Sequence, residues 1–118
     1  SPDNIDIEIS EMVSKPKNKT PLVLYRGVCA EVYKRMVDNA KNIPGVDLHE
    51  KAFLQTSLVK GCEINRKIKL RIYVPAGTEA VYLGDVNDEQ FYYEVVIQRG
   101  ANLKIISMDK EYINCKVI

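Results

Sequence analysis

The sequence contains few of the residues from which common catalytic and metal centres are built. Its only histidine is His49, so a histidine-based metal site or a Ser-His-Asp triad is not expected. Its three cysteines, Cys29, Cys62 and Cys115, form an odd set without Cys-x-x-Cys spacing. We interpret them as reduced, mostly buried thiols rather than as a disulfide framework or a zinc site.

The sequence also lacks a strong net charge and a long hydrophobic run. The formal net charge is +1, so no overall field favours binding to nucleic acid or to an anionic membrane. No apolar run approaches the roughly 20 residues of a membrane-spanning helix, and no signal peptide is visible. The 118 residues fit one compact domain, residues 1–118, and we interpret the opening Ser1-Pro2 as the boundary of a domain cut from a longer protein.

Helical patterns are confined to the first part of the chain. Ser1 and Pro2 suit the cap and the first position of a helix, and an apolar face follows at helical spacing (Ile5, Ile9, Met12 and Val13). The alternation of isoleucines at positions 5, 7 and 9 would equally suit a strand. A clearer helix is predicted over residues 28–42, with one apolar face (Val28, Val32, Met36 and Ala40).

Most of the remaining chain has the composition of strands. A short buried strand is predicted over residues 21–27, stopped by Gly27. Further strands are predicted over residues 52–58, 67–77, 80–84, 90–100, 102–110 and 111–118. The charged cluster from Lys60 to Lys69 is interpreted as a solvated loop and strand edge. Helices followed by strands predict an α+β domain with a mixed or antiparallel sheet, and the absence of Gly-x-Gly-x-x-Gly argues against a Rossmann sheet.

One carboxylate interrupts an otherwise apolar strand, "FYYEVVIQRG" (residues 91–100). Side chains alternate across a strand, so Glu94 is expected to share a face with Tyr92 and Val96, with Tyr93 on the opposite face. The simplest interpretation is that Glu94 is a charge on the solvent face.

Two other predicted strands also contain polar residues, and their order along the chain is informative. Arg26 closes the first strand, and Gln55, Thr56 and Ser57 lie inside the second. Each would usually be a surface or edge residue. The combined order of strand-Arg-Gly, helix, strand-Thr-Ser and aromatic strand-Glu is much rarer than any single piece.

In this order the chain resembles the mono-ADP-ribosyltransferase toxin superfamily, in its Arg/Ser-Thr-Ser/Glu branch. "PLVLYRGV" (21–28) is similar to the first motif of that family, and "EKAFLQTSLV" (50–59) to the second. "LRIYVPAGTEAVYLG" and "FYYEVVIQRGANLKII" are similar to the third region, which ends in the catalytic glutamate strand. The resemblance covers residues 21–107. It implies a minimal ADP-ribosyltransferase-like β-sandwich core, mixed or antiparallel, with a few N-terminal helices.

The resemblance implies NAD as a co-substrate and no metal. Arg26 would grip phosphate or ribose oxygens with its planar fork, and Gly27 would approach the nicotinamide carboxamide closely. Glu94 would be catalytic, stabilising positive charge on the ribose as nicotinamide leaves. Gln55, Thr56 and Ser57 would form the strand that supports it. In this family the loop after the second motif often covers the nicotinamide, which is the alternative to a solvated loop after Lys60.

Two positions depart from the family pattern. Gln55 stands where the first Ser of Ser-Thr-Ser is usual, so either its longer amide or Ser57 would orient the catalytic carboxylate. Tyr92 stands two residues before Glu94, where the family usually has the Glu or Gln that positions the acceptor; Glu89 and Gln90 precede it. We therefore do not expect arginine to be the acceptor.

The expected function is that of a toxin or effector domain from a larger bacterial or phage protein, secreted or injected and active in the cytoplasm of a target cell. Its acceptor is expected to be a protein in preference to a nucleic acid, and an immunity protein would plug the cleft. Three alternatives stay open: an NAD glycohydrolase, a catalytically silent module of the same fold, and an unrelated α+β binding domain in which Arg26, Ser57 and Glu94 never meet.

Overall fold

The structure is a computed structural model that describes residues 17–42, 44–84 and 93–118. One helix, α1 (Ala30–Asn42), and eight strands occur within these ranges. The strands are β1 (Leu22–Val28), β2 (Leu48–Glu50), β3 (Leu54–Ser57), β4 (Ile68–Val74), β5 (Ala80–Gly84), β6 (Glu94–Ile97), β7 (Ala101–Met108) and β8 (Ile113–Val117). The helix predicted near the N-terminus lies outside the described residues.

The eight strands belong to one hydrogen-bonded sheet in the order β2-β7-β8-β4-β1-β3-β6-β5. Strands β4 and β8 are parallel, and the other neighbouring pairs are antiparallel. The predicted α+β class with a mixed sheet is therefore confirmed. Strands β1, β3 and β6, which carry the three candidate motifs, lie side by side.

Apolar side chains from both halves of the sheet form a single core. Its members with no exposed surface are Leu24, Met36, Leu54, Leu70, Ile72, Val74 and Leu103. Helix α1 contributes Met36, as predicted, whereas Ala40 is exposed and Val28 belongs to β1. In the part of the chain that the structure describes, no helix has the length and hydrophobicity needed to cross a membrane.

Several boundaries differ from the sequence prediction. Strand β1 does not stop at Gly27, because Gly27 and Val28 continue the ladder opposite Lys69 and Ile68. Strand β2 was not predicted; its three residues pair with β7. The three cysteines are free, but only Cys115 is buried, so the expectation of mostly buried thiols holds for that residue alone.

Candidate functional site

The register of three neighbouring strands brings the candidate motifs together. Tyr25 in β1 pairs with Ser57 in β3, and Ser57 pairs with Glu94 in β6. Directly paired residues of antiparallel strands project to the same face, so the side chains of Tyr25, Ser57 and Glu94 share one side of the sheet. Arg26 follows Tyr25 in β1. The backbones of Arg26 and Glu94 are two strand spacings apart, about 10 Å.

A cavity of about 300 Å³ opens at this junction. Its walls include every residue that the sequence assigned to catalysis or to NAD binding: Arg26, Gly27, Gln55, Thr56, Ser57 and Glu94. Arg26, Ser57 and Glu94 thus line one cavity, which argues against the alternative of an unrelated domain in which they never meet. The remaining walls come from Tyr25, Val28, Cys29, Val32, Glu63, Ile64 and Arg66.

Arg26 is partly buried and held by a backbone carbonyl. Its Nη1 donates a hydrogen bond to the carbonyl oxygen of Gln55 at 2.8 Å. Burial lowers the pKa of Arg26, the charge of Glu50 opposes that shift, and the nearby Arg66 adds to it. The ordinary pKa of arginine is so high that the guanidinium keeps its charge, and its other N–H donors can bind a ligand.

Strand β3 positions the groups on both sides of it. The Thr56 hydroxyl is buried and donates to the carbonyl oxygen of Val95 at 2.8 Å, which ties β3 to β6 beside Glu94. The Ser57 hydroxyl donates to the carbonyl oxygen of Val59 at 3.0 Å and accepts from its N–H at 3.1 Å. Ser57 thereby orders the loop that follows β3. The Gln55 side chain is exposed.

Glu94 is the first residue of β6, not the centre of a longer strand as predicted. Tyr93 has a φ of 49°, a left-handed value that interrupts the pleat and its alternation of faces. Non-glycine residues held in this region are uncommon and are found preferentially at functional sites. Glu94 is partly buried, and burial raises its pKa above the ordinary value of a glutamate. Tyr92, Glu89 and Gln90, the predicted acceptor-recognition residues, lie outside the described residues.

The loop after β3, whose charge cluster was interpreted as solvated, forms a wall of the cavity through Glu63, Ile64 and Arg66. A Cβ added to Gly27 would collide with the carbonyl oxygen of Ile64 and would lie 2.8 Å from Cβ and 2.9 Å from Cγ of Arg66. The loop therefore packs directly on β1. Glu63, which belongs to the charge cluster interpreted as solvated, is only 6% exposed. Two signals in the sequence pointed to this close approach: the missing side chain of Gly27, and the family resemblance, in which the loop after the second motif often covers the nicotinamide.

No group of three or more potential metal ligands occurs among residues 17–42, 44–84 and 93–118. The polar residues that line the cavity are Tyr25, Arg26, Gln55, Thr56, Ser57, Glu63, Arg66 and Glu94. Such groups suit a ligand that carries both anionic and cationic parts.

Comparisons with known proteins agree with the geometry. A family model described as ADP-ribosyltransferase exoenzyme matches residues 3–116. The C3larvin toxin, an ADP-ribosyltransferase from Paenibacillus larvae, superposes with a TM-score of 0.65 and 20% identity over 95% of this chain and 68% of its own. None of the curated proteins compared with the chain matches it.

Two further solved structures with nucleotides share the fold. The ADP-ribosylating toxin BECa of a C. perfringens binary enterotoxin, with NADH, has a TM-score of 0.73 and 20% identity, over 100% of this chain and 36% of its own. The structure of C3stau2 from S. aureus with NAD has a TM-score of 0.69 and 18% identity, over 95% of this chain and 68% of its own. The present chain thus spans about two thirds of the length of C3larvin and C3stau2 and about one third of the length of BECa.

Proposed function

The chain belongs to the ADP-ribosyltransferase exoenzyme family and is an NAD-dependent ADP-ribosyltransferase toxin domain, and on this premise we propose that the cavity over β1, β3 and β6 binds the reacting end of NAD. The observation that carries the proposal is the convergence of Arg26, Ser57 and Glu94 on one cavity. The predicted family and type of activity are confirmed by the family match.

Arg26 is proposed to anchor the dinucleotide. Its guanidinium is already fixed by the Gln55 carbonyl, so little side-chain freedom is lost when it binds phosphate or ribose oxygens. Arg66 brings a second positive charge to the same cavity. Two guanidinium groups in a partly buried site suit a pyrophosphate, which carries two negative charges.

Glu94 is proposed to be the catalytic carboxylate. As the bond between nicotinamide and ribose breaks, its electron pair goes to the nicotinamide, and positive charge develops on the ribose. An ionised Glu94 next to the ribose stabilises that charge, and the effect is stronger in a partly buried site than in water. The acceptor then forms the new bond to the ribose carbon and releases its proton to water.

Strand β3 is proposed to support both of these residues. Its Gln55 carbonyl orients Arg26, while Thr56 links it to the backbone next to Glu94. Ser57 holds the loop that closes the cavity. In the family pattern, the first Ser orients the catalytic carboxylate. In this chain, we propose that the pairing of β6 with β3 and the hydrogen bond of Thr56 together orient Glu94. Gly27 is proposed to let the loop and the nicotinamide lie close to β1.

The finer features follow from the same premise. The proposed acceptor is a protein side chain other than arginine, because Tyr92 replaces the acidic residue of arginine-modifying relatives; Tyr92, Glu89 and Gln90 would contact it. Residues 1–118 are proposed to be a minimal catalytic domain of a larger toxin that acts in the cytoplasm of a target cell. An immunity protein that covers the cavity is proposed as a further partner.

The experiment incubates the protein with NAD labelled in the adenylate part and with a lysate of candidate target cells. Released nicotinamide and protein-bound label are measured for the unsubstituted protein and for Glu94→Gln. We expect the Gln variant to lower both by about 100-fold, because it keeps the shape but removes the charge. Glu111→Gln is the matched control, since its carboxylate lies on the surface, 67% exposed, next to Lys60.

The outcomes separate the alternatives. Nicotinamide release with free ADP-ribose as the product would assign the protein to the glycohydrolases. A folded protein that releases no nicotinamide would be a silent module, and the proposed role of Glu94 would be wrong.

A further inference from the structure

One buried carboxylate in the cavity has an oxygen without a partner. Glu63 is 6% exposed and lines the cavity together with Arg26 and Glu94. Its Oε1 accepts a hydrogen bond from the Tyr112 hydroxyl at 2.8 Å. Its Oε2 is buried and has no hydrogen-bond partner among the residues that the structure describes. Buried polar atoms are nearly always satisfied, so an unpaired carboxylate oxygen beside a ligand cavity leaves negative charge there that a cationic ligand group would compensate.

The partner of Glu63 is held firmly in place. The ring of Tyr112 packs edge-on against Tyr25 at 5.5 Å, with the Arg71 guanidinium 4.7 Å and the Lys60 ammonium 5.5 Å from its centre. Burial, together with Glu63, raises the pKa of Tyr112 to about 12, so its hydroxyl stays a hydrogen-bond donor at physiological pH. The hydrogen bond from Tyr112 to Oε1 therefore fixes the Glu63 carboxylate, and with it the position of Oε2.

Glu63 lies on the same side of the sheet as Glu94. The strand register places the side chains of Tyr25, Ser57 and Glu94 on one face. Tyr112 packs on the ring of Tyr25 and binds Glu63, so Glu63 belongs to that face as well. Glu63 and Glu94 therefore line the cavity from the same face of the sheet.

The size of the cavity restricts which part of NAD can meet Glu63. A volume of about 300 Å³ is at the lower end for ligand sites, so it holds only part of a dinucleotide. Because Glu94 must adjoin the bond that breaks, this part is the nicotinamide and its ribose. Oxidised nicotinamide has a positively charged ring, which complements the negative charge of the unpaired Glu63 carboxylate beside the cavity.

We propose that Glu63 is a substrate-binding residue that selects the cationic nicotinamide of NAD+ over the neutral dihydronicotinamide of NADH. The inference rests on the proposed NAD site. Arg26 and Arg66 meet phosphate and ribose groups that both nucleotides share, so they cannot distinguish them. The ring charge distinguishes the two nucleotides, and a fixed carboxylate beside the ring senses it directly.

The proposed role of Glu63 predicts the direction in which KM and kcat change when its charge is removed. The positive charge moves from the nicotinamide ring to the ribose as the bond breaks, so Glu63 stabilises bound NAD+ more than the transition state. Removal of its charge should raise KM and leave kcat unchanged or higher. A residue that took part in the chemical step would give the opposite pattern, a lower kcat.

The test compares the affinities for NAD+ and NADH in Glu63→Gln and in its parent protein. Both are prepared with Glu94→Gln, so that NAD+ is not consumed during calorimetric titration. Glutamine keeps an oxygen to accept from Tyr112 but carries no charge. We expect NAD+ to bind about tenfold more weakly or worse, and NADH to change by less than about threefold. Glu111→Gln, which removes a charge on the surface, should leave the ratio unchanged.

Each result bears on the inference. An unchanged NAD+/NADH ratio in a folded Glu63→Gln protein would overturn it, and so would a tenfold fall in kcat at constant KM with Glu94 intact. If Glu63→Gln does not fold, Tyr112→Phe replaces it: loss of the donor should reduce the preference for NAD+, and an undiminished preference would contradict the proposal. Failure of the parent to bind either nucleotide would instead refute the proposed function.

Discussion

Replacement of Gly27 by alanine tests whether the loop after β3 is the wall that completes the cavity. The new Cβ would lie 2.8 Å from Cβ and 2.9 Å from Cγ of Arg66, and closer still to the carbonyl oxygen of Ile64. Ordinary contacts begin near 3.4 Å, so the loop must withdraw by more than about 0.6 Å. Because the closest atom belongs to the backbone, rotation of a side chain cannot relieve the clash.

The expected loss of stability in Gly27→Ala follows from the cost of overpacking. Inserting a methyl group into a filled site costs roughly 1–3 kcal/mol, and the lower chain entropy of alanine in the unfolded state returns about 0.4–1 kcal/mol. A net loss of about 1–2 kcal/mol lowers the Tm of a domain of this size by roughly 4–10 °C. NAD affinity should fall by at least about tenfold, because Glu63 and Arg66 move with the loop.

The assay combines thermal unfolding, followed by circular dichroism, with calorimetric titration of NAD. Gly77→Ala is the control: its φ of 86° strains an alanine, but its Cβ would meet no neighbouring atom, and it does not line the cavity. It should therefore lose stability and keep its NAD affinity. If Gly27→Ala kept both its Tm and its affinity, the close packing of the loop on β1 would be refuted.

Three further predictions concern ionisable groups. Burial raises the pKa of Glu94, so nicotinamide release should fall as the pH is lowered through that raised value, and a flat rate profile from pH 4 to 8 would contradict this. The backbone N–H of Tyr112 is the main cause that holds the pKa of Asp109 at about 2, against 3.8 ordinarily. The ionised Asp109 therefore stabilises the folded state fully above about pH 4, and this stabilisation is lost as the pH falls towards 2. Between these pH values the Tm of Asp109→Asn should fall less than that of the unsubstituted protein. Burial raises the pKa of Cys115 to about 12, so iodoacetamide at pH 8 should label exposed Cys29 in the folded protein and Cys115 only after unfolding, as read by mass spectrometry.

The motif strands could be recognised from local patterns because their residues suit a pleated, half-buried surface. The runs around Arg26 and Thr56 appear in the structure as β1 and β3. The exact start of β6 could not be foreseen, because Tyr93 has a β-forming side chain yet adopts a left-handed φ. The short strand β2 was missed for the opposite reason: three residues carry no periodicity, and only pairing with β7 makes them a strand.

By itself, the sequence determined which functional groups are present, the order in which they follow one another along the chain, and the family to which that order belongs. A guanidinium before a glycine, hydroxyls in a strand and a carboxylate after aromatic residues are properties of side-chain identity and spacing, and these are local. The tertiary structure alone decided that these groups share one cavity, and that Glu63, which looked like a surface charge, is buried there. Burial and strand register depend on contacts between distant residues, as between Glu63 and Tyr112, which are 49 positions apart.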